Sequence, residues 1–145
     1  MKIVICGSMA FAQDMLNAKC LLEEKGYRVV LPEGTDEYCK GKLKKLANGW
    51  GTVEGAKRKI DNDLIKKHYN EIKDGDAILV INKSKNGIKN YIGGNSFLEM
   101  GFAYILNKKI YTLNDLPDSL PIFYQELIAM QPISLRGDLN KIKNG

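Results

Sequence analysis

Two short runs, Lys2–Cys6 (Lys-Ile-Val-Ile-Cys) and Asp76–Asn82 (Asp-Ala-Ile-Leu-Val-Ile-Asn), are apolar with little alternation. A strand of this kind has no polar face to give to water. It must be covered on both sides, as strands are in parallel sheets with helices above and below. Between and after these runs the pattern changes period. A helix is expected from Phe11 to Lys25, closed by Gly26 at the C′ position, followed by a short strand Tyr27–Leu31 that Pro32 stops. A second helix is expected over Ala56–Lys73, with an apolar stripe at Ile60, Leu64, Ile65 and Ile72. Helices over Ser96–Asn107 and Leu120–Met130 alternate with strands Lys109–Leu113 and Ile133–Leu135. The stretch 33–55 contains five glycines, the lone Trp50 and several lysines, and reads as a long basic loop with one helical turn around Leu43 and Leu46. Regular β–α alternation points to a flavodoxin-like α/β fold: a doubly wound, five-stranded parallel sheet of order 2-1-3-4-5 in three layers.

Length and composition narrow the function classes. A chain of 145 residues is read as one domain over 1–145, and 44% apolar with 27% charged residues is ordinary for a globular protein. No apolar run reaches the roughly 18 residues a membrane span needs, so no membrane partner is expected. The three cysteines, Cys6, Cys20 and Cys39, lack any CxxC spacing, which argues against a disulfide scaffold or a cysteine zinc site and suits a reducing cytoplasm. His68 is the single histidine, so counting alone removes a metal site built on several imidazoles. No metal and no cofactor are expected. Lys40–Lys67 carries nine basic and three acidic residues, a local charge of +6. Such a stripe is either a solvated face or an anion-binding surface, nucleic acid included.

In doubly wound sheets, ligands bind beyond the carboxyl ends of the strands, at the switch point between strands 1 and 3. Two loops lead there. In Cys6-Gly7-Ser8-Met9, Gly7 lets the backbone approach a ligand and the following helix offers unpaired N–H groups. The second loop ends in Gly93-Gly94-Asn95-Ser96-Phe97-Leu98-Glu99. Ser96 and Glu99 have the spacing of a capping box, which gives Glu99 a structural role. A carboxylate in the first helical turn also points into the crevice, where a nucleophile is wanted. Asn82, at the end of strand 3, and Asp14, early in helix 1, are placed to hydrogen-bond a sugar or base, and Tyr91 and Phe11 to stack on a base.

Cys6-Gly7-Ser8 after strand 1, Asp76-Ala-Ile-Leu-Val in strand 3, and Gly94-Asn-Ser-Phe-Leu-Glu-Met-Gly-Phe-Ala103 ahead of Lys108-Lys-Ile resemble the nucleoside 2-deoxyribosyltransferase family, including its 2′-deoxynucleoside 5′-phosphate N-hydrolase branch. The likeness runs over nearly the whole chain and is most specific from Asn95 to Ala103. It implies a nucleoside or nucleotide substrate and a homodimer with shared active sites, in which Met130 adjoins the substrate. It also implies a catalytic Glu99 that attacks the anomeric carbon, displaces the base and leaves a glycosyl-enzyme ester for water or a second base to resolve.

The departures from the family are equally specific. Its strand-1 aromatic falls on Val4 and its helix Asp on His68, while the two phosphate-reading positions fall on Ala10 and Ile128. An imidazole at His68 can either complete the core or protonate a departing base. With no Arg at position 10, a nucleoside is expected to bind about as well as its monophosphate, unless a lysine of the Lys40–Lys59 loop takes over. The resulting expectation is N-glycosidic cleavage or exchange through Glu99. The alternatives are a non-catalytic nucleotide-binding module and an NAD-cleaving glycohydrolase. Phe123, Leu127, Ile128 and Met130 on the last helix are the expected dimer surface.

Overall fold

A computed structural model describes residues 1–41, 53–118 and 122–144. Five parallel strands form one sheet of order β2-β1-β3-β4-β5, where β1 is Lys2–Gly7, β2 Arg28–Val30, β3 Ala77–Ile81, β4 Lys109–Thr112 and β5 Ile133–Ser134. The expected topology is the observed one. β1 and β3 are neighbours in register, with Cys6 opposite Val80 and Gly7 opposite Ile81. All five residues of β3 are buried, and the apolar run is central because both of its faces are covered.

The period of two in β1 sorts its side chains between two cores. Ile3 and Ile5 pack with Leu79 and Ile81 against Met15 and Leu22 of helix α1 (Ala12–Glu24). Val4 and Cys6 face the opposite layer, with Ile78, Val80, Ile72, Met100, Ala103 and Leu127. That layer contains α4 (Leu64–Asp74), α5 (Gly94–Ile105) and α6 (Tyr124–Ala129). Crossing from one face to the other between β1 and β3 creates the switch point.

Helix ends follow local chemistry. Gly26 closes α1 at φ 90°, with Gly26 N–H donating to Glu23 O and Tyr27 N–H to Leu22 O, the paired bonds of a Schellman motif. Asn107 ends α5 in the same way at φ 56°.

Three expectations need correction. The stretch 33–55 is not all loop: α2 (Thr35–Cys39) lies within it and α3 (Val53–Asp61) begins inside it, while the turn expected at Leu43 and Leu46 and the side chain of Trp50 lie outside the described residues. The helix expected over Ala56–Lys73 is two helices, α3 and α4, broken at Asp63, which adopts φ 50°. Asp and Asn tolerate this left-handed conformation and compete with helical hydrogen bonds, and the break falls in Asp61-Asn62-Asp63. The stripe consequently fails at one end. Ile72 is buried and Leu64 half-buried, but Ile60 and Ile65 are exposed. Finally, Leu127 is fully buried in the core and is not available as a docking surface, while Phe123 is half-buried and stacks on Phe97 with centroids 4.6 Å apart. Met130 packs against the same core, and only Ile128 of the four is exposed.

Candidate functional site

Glu99 belongs to the second turn of α5, not the first. The helix starts at Gly94 with Gly93 as its N-cap, and Phe97 N–H donates to Gly93 O. Ser96 is therefore a buried third residue of the helix, and no capping box forms. Two glycines preceding Asn95 let the chain enter the helix earlier than the Ser-x-x-Glu spacing indicated. The shift directs Glu99 into the layer between α5, α4 and β1.

There Glu99 is only 5% exposed and His68, from α4, 9%. His68 Nε2 lies 3.4 Å from Glu99 Oε2 and 3.6 Å from Cys6 Sγ. The inward direction read for His68 is the observed one, because Leu64, His68 and Ile72 share one face of α4 at spacings of four. The other carboxylate oxygen, Oε1, accepts from Asn95 Nδ2 at 2.8 Å, and Asn95 Oδ1 in turn accepts from Lys59 Nζ of α3 at 3.3 Å. Oε2 is buried and has no hydrogen-bond partner of good geometry. One oxygen is tethered, and the other is left toward the imidazole and the thiol.

Electrostatics at this cluster oppose one another. Burial pushes the Glu99 carboxyl above its ordinary value, and His68, the Cys6 thiol, Lys59 and Asn95 pull it back. Burial, reinforced by the Glu99 charge, pushes the Cys6 thiol well above the usual range. Glu99 is thus a desolvated carboxylate whose charge depends on its immediate neighbours.

A second group forms where the β1 and β3 loops meet. Ser8 caps the 3₁₀ turn Met9–Phe11, its Oγ accepting from Ala10 N–H at 3.2 Å. Lys85 Nζ donates to the same Oγ at 3.0 Å and lies 5.1 Å from the Tyr91 ring centroid. Partial burial lowers the Lys85 pKa. Nearby in sequence, Lys83 Nζ pairs with Asp14 Oδ1 at 3.0 Å. A lysine does stand at Ser8, Lys85 of the loop after β3, while Lys42, Lys44 and Lys45 of the Lys40–Lys59 stretch lie outside the described residues.

Other expected site residues have different work. Both amide hydrogens of Asn82 go to the carbonyls of Asn114 and Asp115, and its Oδ1 accepts from Asn114 N–H, so this side chain ties the β4 loop to β3. A Cβ at Gly7 would come within 3.2 Å of Ile81 O and Met15 Sδ, so the packing of β1 against β3 and α1 leaves no room for a side chain there. Gly94, by contrast, has open space where a Cβ would go. Met9 is half-buried beside Thr35, whose Oγ1 lies 4.0 Å from Met9 Sδ. Cys6 and Lys85 carried no expected role, and Lys59, one of the lysines considered for a phosphate, instead holds Asn95. The signal for Cys6 was present in the period of β1, which puts Val4 and Cys6 on one face, but its two partners come from helices distant in sequence.

No family model and no curated protein matches the chain. Among solved structures it is similar to the Clostridium botulinum CMP N-glycosidase BcmB, with a TM-score of 0.50 and 15% identity over 94% of this chain and 89% of that one. The fold of this chain is the fold of that protein.

Proposed function

We propose that the protein cleaves or exchanges the N-glycosidic bond of a nucleoside or nucleotide, with Glu99 as nucleophile. The observation that carries this reading is the asymmetry of the Glu99 carboxylate: Asn95 fixes Oε1, while Oε2 is buried without a hydrogen bond. Held in one orientation by Asn95, the carboxylate turns Oε2 toward the imidazole at 3.4 Å and the thiol, which favour its ionised, nucleophilic form. The shared fold with a CMP N-glycosidase and the Asn95–Ala103 motif support the same reaction class.

In this reading Oε2 forms a bond to the anomeric carbon as the C–N bond breaks, and the electron pair leaves with the base. The base takes up a proton from solvent, and water or a second base then opens the glycosyl ester. His68 is a positioning residue rather than the acid. In retaining glycosidases, acid and nucleophile stand about 5–5.5 Å apart to admit the scissile bond, whereas His68 Nε2 is 3.4 Å from Glu99 Oε2. At that distance the imidazole favours the ionised carboxylate against the cost of burial. Lys85 and Ser8 form the anion-reading end of the site, so a nucleoside monophosphate is favoured over its nucleoside.

The test is release of free base from a panel of nucleosides, nucleoside monophosphates and NAD. Base release from at least one of the first two classes is expected, with Glu99→Gln lowering it on the order of 100-fold or more. Unchanged turnover in folded Glu99→Gln protein would remove the nucleophile assignment. Release confined to NAD would move the activity to a nicotinamide riboside bond.

A further inference from the structure

Cys6, His68 and Glu99 are brought from β1, α4 and α5 so that their ligand atoms all lie within 4.8 Å of one another. We propose that they form a binding site for zinc or a similar thiolate-preferring divalent cation, in place over the candidate nucleophile. The assignment rests on geometry. Zinc bonds of about 2.3 Å to sulfur and about 2.0–2.1 Å to nitrogen and oxygen, set at tetrahedral angles, place S and N about 3.5–3.6 Å apart and N and O about 3.3 Å apart. The corresponding separations here are 3.6 Å for Cys6 Sγ to His68 Nε2 and 3.4 Å for His68 Nε2 to Glu99 Oε2. Two of the three separations thus match those a tetrahedral ion imposes, and the third, Cys6 Sγ to the Glu99 carboxylate, lies within 4.8 Å.

Two further observations point to a ligand. Glu99 Oε2, nine-tenths and more buried, has no hydrogen-bond partner and faces the cluster. Its companion Oε1 is held by Asn95 at 2.8 Å, and Asn95 by Lys59, the outer-sphere support that orients a metal-binding carboxylate. Charge also balances: a thiolate, a carboxylate and a neutral imidazole around a divalent cation sum to zero, which suits a buried site. Soft sulfur together with nitrogen and oxygen selects zinc over magnesium or calcium, which prefer all-oxygen sites.

The binding claim is independent of the proposed activity; its consequence rests on that activity. A cation on Oε2 occupies the lone pair that would attack the sugar, so zinc would inhibit base release and a chelator would restore it.

The experiment uses full-length protein carrying Cys20→Ser and Cys39→Ser, so that Cys6 is the only thiol, with Co²⁺ as the optical probe and Zn²⁺ as its competitor. One equivalent of Co²⁺ is expected to give a thiolate charge-transfer absorption that Zn²⁺ abolishes. His68→Gln should weaken Co²⁺ binding at least tenfold, and Cys6→Ala should remove the absorption. Both variants are checked for folding by circular dichroism. If Cys6→Ala does not fold, Glu99→Gln serves in its place and should weaken Co²⁺ at least tenfold. Absence of stoichiometric binding at micromolar metal, or binding unaffected by His68→Gln and Glu99→Gln, would overturn the site. Base release measured in chelator reports on the nucleophile alone, so failure of one claim leaves the other separately decided.

Discussion

At the scale of single residues, the proposed reaction divides its labour between two groups, the Glu99 cluster and the Ser8–Lys85 pair. Glu99, tethered by Asn95 and faced by His68, has the character of a reacting group. Lys85, partly desolvated against Ser8 and Tyr91, has the character of an anion reader. Removing a charge-assisted hydrogen bond costs about 1.5–3 kcal/mol, or roughly ten- to a hundredfold in binding. Lys85→Gln is therefore expected to weaken a nucleoside monophosphate by that factor and to leave its nucleoside within about twofold. Competition titrations of the matched pair measure it. An equal loss for both ligands would mean that Lys85 holds the loop and reads no phosphate.

At the scale of elements, the break at Asp63 decides which part of the α3–α4 segment supports the site. Below the break, Ile72 is fully buried on the face of α4 that carries His68; above it, Ile60 is exposed on α3. Met100, next to Glu99, is also fully buried, and Met100→Ala is expected to cost about 2–5 kcal/mol, while Ile60→Ala costs under about 0.5 kcal/mol. Urea unfolding of the two variants tests this, and a loss at Ile60 comparable to that at Met100 would mean that Ile60 packs in the core rather than facing solvent. The sheet was legible in the sequence because β1 and β3 are apolar without alternation and Gly26 marks the end of α1. The α3–α4 break was not, because Ile60, Leu64 and Ile65 keep helical spacing straight through it. The site was half legible. Glu99 and His68 could be singled out as residues, but their 3.4 Å pairing and the thiol beside them depend on contacts between elements separated by long stretches of chain. The capping box misled because spacing cannot reveal that Gly93 had already capped the helix.

At the scale of the whole molecule, no helix among the described residues is long and apolar enough to cross a membrane. The exposed apolar side chains include Leu98 and Ile105, seven residues apart on α5, and Ile128 on α6. A two-fold dimer needs a self-complementary patch, and we place it on these three residues. Sedimentation at micromolar concentration is expected to show a dimer that Ile105→Lys shifts to monomer. A wild-type monomer would contradict the placement. The claim on which the account turns is a covalent bond from Glu99 to the sugar, and trapping tests it most directly. A 2′-fluorine disfavours the cationic transition states of both steps, and the ester accumulates on a 2′-fluorinated nucleoside or nucleoside monophosphate when base departure remains faster than its opening. Chelator-treated protein is incubated with this substrate, digested, and its peptides weighed. A fluorinated sugar is expected on the peptide containing Glu99 and is expected to be absent from Glu99→Gln. Stoichiometric base release with no sugar on that peptide, or a sugar attached elsewhere, would contradict it.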